Sequence, residues 1–212
     1  SIARLKEYGK SVYQLGRKHK IEIGSIPASN VSDICDFIES IFNIPCVPLL
    51  NYLSVSLTPS NPILHTSRLY SMFKDYKPGE KYNRNFLFYR EWSLEASKLM
   101  ISCDDELQLL CRTIPMNLDN VHSLKDYYES YTAEDMQRKI SSLDAVKNLK
   151  SPMTEVEGGW IPDFKSRYFR TDFPYGINVI IKIADIFNVD TPTMDEIWNW
   201  YRDLVSNEET VD

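Results

Sequence analysis

"SNPILHTSRLY", Ser60 to Tyr70, is where the texture of the chain changes. Asn61-Pro62 has the form of a helix start. Ser60 or Asn61 can cap, and Pro62 suits the first helical position, where its missing N–H leaves no bond unmade. Apolar residues then recur, which predicts a helix over about 62–75. His65 stands one turn in, among Ile63, Leu64 and Leu69. A titratable ring there lies near the positive end of the helix dipole, on a face that otherwise looks buried. Asn61, four residues back, shares that face.

Downstream, almost every segment has helical spacing. "KPGEKYN" breaks the first helix. "FLFYREWSLEASKLMISCDDELQLLCR" predicts a long second helix over about 86–112, ended by Pro115. Thr132 to Asp135 resembles a capping box and opens "MQRKISSLDAVKNL". "SPMTEVEGGWIPDFKSRYFRTDFPYG" holds three prolines and three glycines and is expected to be irregular. Helices are expected again over about 176–187 and from the capping-box pattern at Thr193 to Glu196, followed by Ile197, Trp198, Tyr201 and Leu204. The final "SNEETVD" is expected to fray.

Upstream the pattern is mixed. "KSVYQL" and "KIEIGSIP" are short β-like runs joined by "GRKHK", which predicts a hairpin. "VSDICDFIESIF" has helical spacing at Val31, Ile34, Ile38, Ile41 and Phe42. The prolines of "NIPCVPLL" favour extended chain. This mixture has the form of the end of an α/β unit whose beginning is missing. The chain also starts Ser1-Ile2-Ala3 without a methionine, which leads us to expect a cut-down piece.

With 212 residues, 43% of them hydrophobic and 25% charged, the chain can bury a core of ordinary size. A net charge of -6 argues against nucleic acid and against a polybasic membrane contact. No apolar run reaches membrane-spanning length, and a signal peptide is not expected. Four cysteines, none in a C-x-x-C pair, are expected to be reduced, mostly buried thiols of a cytoplasmic protein. Zinc is not expected: the three histidines stand apart from any cysteine pair. Asp104, Asp105 and Glu106 are consecutive, so on a helix they spread around its circumference as a solvated face. Gly158-Gly159 is too short for a phosphate loop, and no G-x-G-x-x-G occurs.

Two readings of His65 stand open. The plainer one is a core histidine with one hydrogen bond. The other is an acid/base, which needs a carboxylate from elsewhere to orient the ring. Asp172, in "SRYFRTDFPYG" among Tyr168, Phe169, Phe173 and Tyr175, is the best candidate. Arg167, five residues earlier, offers a planar fork for a carboxylate. On spacing alone, an ion pair within the segment between Arg167 and Asp172 is favoured over either functional role.

"NPILHTSRLY" followed about a hundred residues later by "SRYFRTDFPYG" resembles the helical C-terminal domain of the octopine/nopaline (opine) dehydrogenase family, with "EASKLMISCDDELQ" and "GWIPDF" also in keeping. The resemblance implies a mainly α fold. Residues 51–212 would be an all-helical substrate and catalytic domain. Residues 1–50 would be the C-terminal remnant of a Rossmann-type nucleotide-binding domain, most of it missing. It implies NAD or NADP as cofactor, and an amino acid and a 2-oxo acid as substrates, joined reductively.

The resemblance also implies His65 and Asp172 as the acid/base pair, Arg167 as the grip on a substrate carboxylate, and Asn61 beside substrate or nicotinamide. Helical domains of this kind often pair, which makes a homodimer an expectation. Lacking the dinucleotide fingerprint, the chain alone is expected to show little dehydrogenase activity. The rival readings are a non-catalytic α-helical interaction module, and a hydroxyacid or polyol dehydrogenase of similar two-domain build.

Overall fold

The computed structural model describes residues 2–16, 18–58 and 60–208. The chain divides into two compact units, one of Ser1–Thr58 with Asn117–Asn120, the other of Pro59–Met116 with Val121–Asp212.

In the first unit, β1 (Ile2–Glu7) and β2 (Ser11–Gly16) form an antiparallel ribbon. Gly9 turns it with a φ of 70° that other residues resist. β3 (Ile21–Ile23) pairs in parallel with β4 (Cys46–Pro48), and the amphipathic helix α1 (Val31–Phe42) joins them. The expected hairpin of "KSVYQL" on "KIEIGSIP" therefore does not form. β2 finds a partner in the preceding residues, across a glycine turn, and β3 finds one beyond the helix. Arg17, in the supposed turn, lies outside the described residues. Asn43 ends α1 in the left-handed conformation, φ 49°, with its N–H on the Glu39 carbonyl. α2 (Leu53–Ser56) is a single turn.

The second unit is helical. α3 (Ser60–Phe73) lies at its centre, buried without a break from Ile63 to Tyr70. It begins at Ser60, so Asn61 and Pro62 lie inside its first turn and do not cap it. Pro62 is tolerated because the first four N–H groups of a helix lack intrahelical partners. His65 accordingly stands in the second turn, where the dipole has faded.

α4 (Leu94–Thr113), α5 (Leu124–Tyr127), α6 (Ala133–Ser141), α7 (Asn178–Ile186) and α8 (Pro192–Glu208) complete the helices of this unit together with the wide helical segment described below. α4 starts eight residues later than its periodicity predicted. The Ser93 hydroxyl accepts from the Ala96 N–H at 3.1 Å and fixes the start there. Residues 86–92 instead form a turn pinned to its neighbours: Phe88 N–H bonds the Leu149 carbonyl at 2.8 Å, and Leu87 N–H bonds the Glu91 carboxylate at 2.6 Å. Thr132 caps α6 as its box predicted, with the Asp135 N–H 3.1 Å from its hydroxyl.

The acidic triplet is not a solvated face. Asp104 is completely buried and accepts from the Leu124 N–H at 2.8 Å. Glu106 accepts from Thr193 N–H at 2.7 Å and Met194 N–H at 3.1 Å, capping α8 from another helix. Asp105 alone is exposed, paired with Lys125.

The segment expected to be irregular is largely regular. β5 (Met153–Val156) and β6 (Gly159–Pro162) form a hairpin around Gly158-Gly159, and residues Tyr168–Ile177 form a π-helix. Pro174, which has no N–H and crowds the preceding turn of an α-helix, is held within those wider turns. α8 extends through Glu208, so Ser206 to Glu208 are helical rather than frayed; residues 209–212 lie outside the description. Among the described residues the four cysteines are free, Cys35 and Cys103 buried, Cys46 and Cys111 partly so. No described helix is long and apolar enough to cross a membrane.

Candidate active site

α3 and the π-helix pack side by side, and the close approach is at Gly176. A β-carbon there would stand 3.1 Å from Pro62 Cβ. Stacked Phe169 and Phe173 rings, 5.6 Å apart, anchor the π-helix, and Phe173 stacks on Tyr201 at 4.4 Å. This packing brings together two residues that are 107 positions apart. His65 Nδ1 lies 2.8 Å from Asp172 Oδ2. The His65 side chain is 7% exposed and that of Asp172 17%. An ionised carboxylate only accepts, so Nδ1 carries the proton and Nε2 is left as an acceptor.

Nε2 is occupied too. The Tyr89 hydroxyl lies 2.9 Å away and donates to it. The ring is enclosed by Tyr168, 4.8 Å between centroids, and by Phe88, 5.6 Å, both edge-to-face. Burial pushes the Tyr89 phenol well above its ordinary value, with Tyr168, Tyr128 and Asp172 adding to the effect. Burial likewise pushes Tyr128 up to about 12. These hydroxyls are neutral donors at neutral pH.

Tyr89 sits in the 86–92 turn, and Arg68 holds that turn. Arg68 is 5% exposed, one helical turn beyond His65, and donates from Nη2 to the Glu91 carbonyl at 2.6 Å and from Nε to the Phe88 carbonyl at 3.2 Å. Its guanidinium also lies 5.8 Å from the Trp92 ring. The sequence reading missed both Tyr89 and Arg68. Treating residues 86–92 as helix removed the turn from view; the cluster Phe86, Phe88, Tyr89 and Trp92 was the available signal.

Arg167 precedes the π-helix and is exposed; Thr171 Oγ1 donates to its carbonyl at 2.7 Å. Among the described residues no ion pair joins it to Asp172, so the ion pair favoured by spacing is absent. The carboxylate is turned towards α3 instead. Asn61 is exposed in the first turn of α3.

The fold, a mainly helical unit and a small α/β unit, is that of the corresponding part of octopine dehydrogenase. The solved complex of that enzyme with NADH and L-arginine superposes with a TM-score of 0.79 at 20% identity, over 97% of this chain and 54% of that one. Its complex with NADH and pyruvate gives 0.74 at 20% identity, over 95% and 52%. Residues 48–205 match the model of the NAD/NADP octopine/nopaline dehydrogenase alpha-helical domain. The chain belongs to that family. It is 29% identical to the tauropine dehydrogenase of Arabella iricolor over 98% of its own length and 56% of that protein. It thus spans about half the length of the curated relatives it matches.

Proposed function

We propose that this chain is the catalytic portion of an NAD(P)-dependent opine dehydrogenase-like oxidoreductase that reductively joins an amino acid to a 2-oxo acid. The observation that carries the reading is the 2.8 Å bond between His65 Nδ1 and Asp172 Oδ2, made between two separate helices. A carboxylate that fixes the tautomer and steadies an imidazolium is the arrangement an acid/base histidine needs. Family membership supplies the reaction class, and the L-arginine and pyruvate complexes of octopine dehydrogenase supply the substrate classes.

In this reading the amino-acid nitrogen must lose a proton before it attacks the keto carbon. The His65–Asp172 couple takes that proton. It then returns one to the carbinolamine oxygen, so that water leaves. Arg167 grips a substrate carboxylate through its fork, and Asn61 lines the same approach. The nicotinamide, when bound, supplies the hydride. This chain has no glycine-rich fingerprint, so its dinucleotide would be held by another domain. The parallel β3–α1–β4 unit, with Phe37 and Ile41 of α1 left exposed, supports residues 1–50 as the last part of such a domain.

The test is turnover in the enzyme that joins this chain to a nucleotide-binding domain. His65→Ala and Asp172→Asn should each lower kcat by about 100-fold or more, with folding intact by circular dichroism. Wild-type turnover in both variants removes the assignment.

A further inference from the structure

We propose that Tyr89 is the group through which the His65–Asp172 couple exchanges protons with substrate, making a three-member relay; the proposal rests on the acid/base reading above. Both ring nitrogens of His65 are engaged, Nδ1 by Asp172 at 2.8 Å and Nε2 by Tyr89 at 2.9 Å. The ring faces are crowded by Tyr168 and Phe88. A substrate amine therefore meets no free ring nitrogen. The histidine is the buried middle of the chain, while Tyr89, half-buried, is its outer end.

The chemistry of the phenol fits that place. Its O–H is donated to Nε2, which leaves lone pairs on the oxygen to accept from an ammonium N–H. The groups facing it are neutral Tyr128 and Tyr168, and Asp172 beyond the ring. None is a cation that would hold it as phenolate. Its position is fixed on both sides: Arg68 clamps the carbonyls of Phe88 and Glu91, and the Tyr89 ring stacks on Trp92 at 6.5 Å. Among these aromatic neighbours a phenylalanine would pack as well. The hydroxyl is spent on His65.

The relay balances without any change of oxidation state. The substrate N–H bond breaks and its electron pair stays on nitrogen. That proton joins the Tyr89 oxygen as the phenol's own proton passes to His65 Nε2. The resulting imidazolium is held by Asp172 while the freed nitrogen lone pair attacks the keto carbon. The C–N bond forms, the C=O π pair moves to oxygen, and a second N–H proton passes to that oxygen. This gives the neutral carbinolamine, with a lone pair again on nitrogen. In the return step Nε2–H goes back to the phenol oxygen, whose proton passes to the carbinolamine hydroxyl. The C–O bond then breaks with water as leaving group, and the nitrogen lone pair forms the C=N bond. Hydride transfer follows and does not involve Tyr89.

The experiment has three arms. In the joined enzyme, Tyr89→Phe should lower kcat about 10- to 100-fold while KM for the 2-oxo acid stays within about twofold. Replacing Tyr89 by fluorinated tyrosines keeps hydroxyl and fold but makes the phenol more acidic; the pH profile of kcat/KM should move to lower pH with added fluorine. In the present chain, nitrogen NMR should show His65 Nε2 losing a hydrogen-bond donor in Tyr89→Phe, with Nδ1 unchanged. Full turnover in Tyr89→Phe overturns the relay. So does lost turnover combined with an unmoved fluorotyrosine profile, since a packing role is indifferent to phenol acidity. An inactive His65→Ala beside an active Tyr89→Phe leaves the acid/base reading standing and removes this one. Activity in His65→Ala removes both.

Discussion

Arg68 Nη2 and the Glu91 carbonyl oxygen lie 2.6 Å apart, a buried cation bonded to backbone rather than to a carboxylate. Burial lowers the Arg68 guanidinium to about 10, still charged at neutral pH. The fork thus ties the centre of α3 to the turn that carries Tyr89. Arg68→Met should strand two carbonyls and destabilise the chain by about 2–4 kcal/mol. Arg68→Lys, with one point charge in place of a fork, should recover only part of that. Urea midpoints of the three proteins decide it; equal midpoints would show the clamp to be idle.

Asp104 makes stability depend on pH. Its burial raises the carboxyl to about 6, against the opposing bond from the Leu124 N–H. Between the ordinary 3.8 and about 6, the unfolded chain releases this proton while the folded chain keeps it. Stability therefore falls as pH rises through that window, by about 3 kcal/mol in all, and stays low above it. Asp104→Asn keeps an acceptor for Leu124 and abolishes the dependence. Its stability advantage over the wild type should grow from pH 4 to pH 7. Parallel profiles of the two proteins would refute the assignment.

Glu106 takes the place of a local cap at α8, accepting from Thr193 and Met194. Glu106→Ala should cost about 1–2 kcal/mol and Glu106→Gln less, since the amide oxygen still accepts but carries no charge for the dipole. Hydrogen exchange at the first turn of α8 should speed up in the alanine variant. Unchanged protection there would mean that water caps the helix equally well.

Arg167 stands exposed one turn from Asp172, free of the ion pair its spacing favoured. In the joined enzyme, Arg167→Ala should raise KM for a carboxylate substrate about 10- to 100-fold with a smaller change in kcat. Arg167→Lys should restore affinity only in part. A KM at the wild-type value would exclude the clamp.

The residues of α1 and α6 were legible because each carries a clear amphipathic period, and α6 adds a local cap at Thr132. The two halves of the candidate site, His65 and Asp172, were legible as unusual residues, and as a pair only through resemblance. Tyr89 was not legible. Its turn has helical periodicity, and the groups that hold it out of a helix, Arg68 and the Leu149 carbonyl, come from 21 and 60 residues away along the chain. The π-helix was hidden for a related reason. Pro174 and Gly176 are local breakers, and the segment is held in the core by burial of Phe169 and Phe173, the latter stacked on Tyr201 of α8.

By itself, then, the sequence determined the helical class of the larger unit, most of its helix positions and the residue types available for proton chemistry, since periodicity and caps act over one or two turns. The tertiary structure alone decided which of those residues meet. Whether Asp172 bonds Arg167 five residues away or His65 107 residues away is a choice between a near cation and a distant imidazole. The packing of Gly176 on Pro62 turns the carboxylate to the distant one.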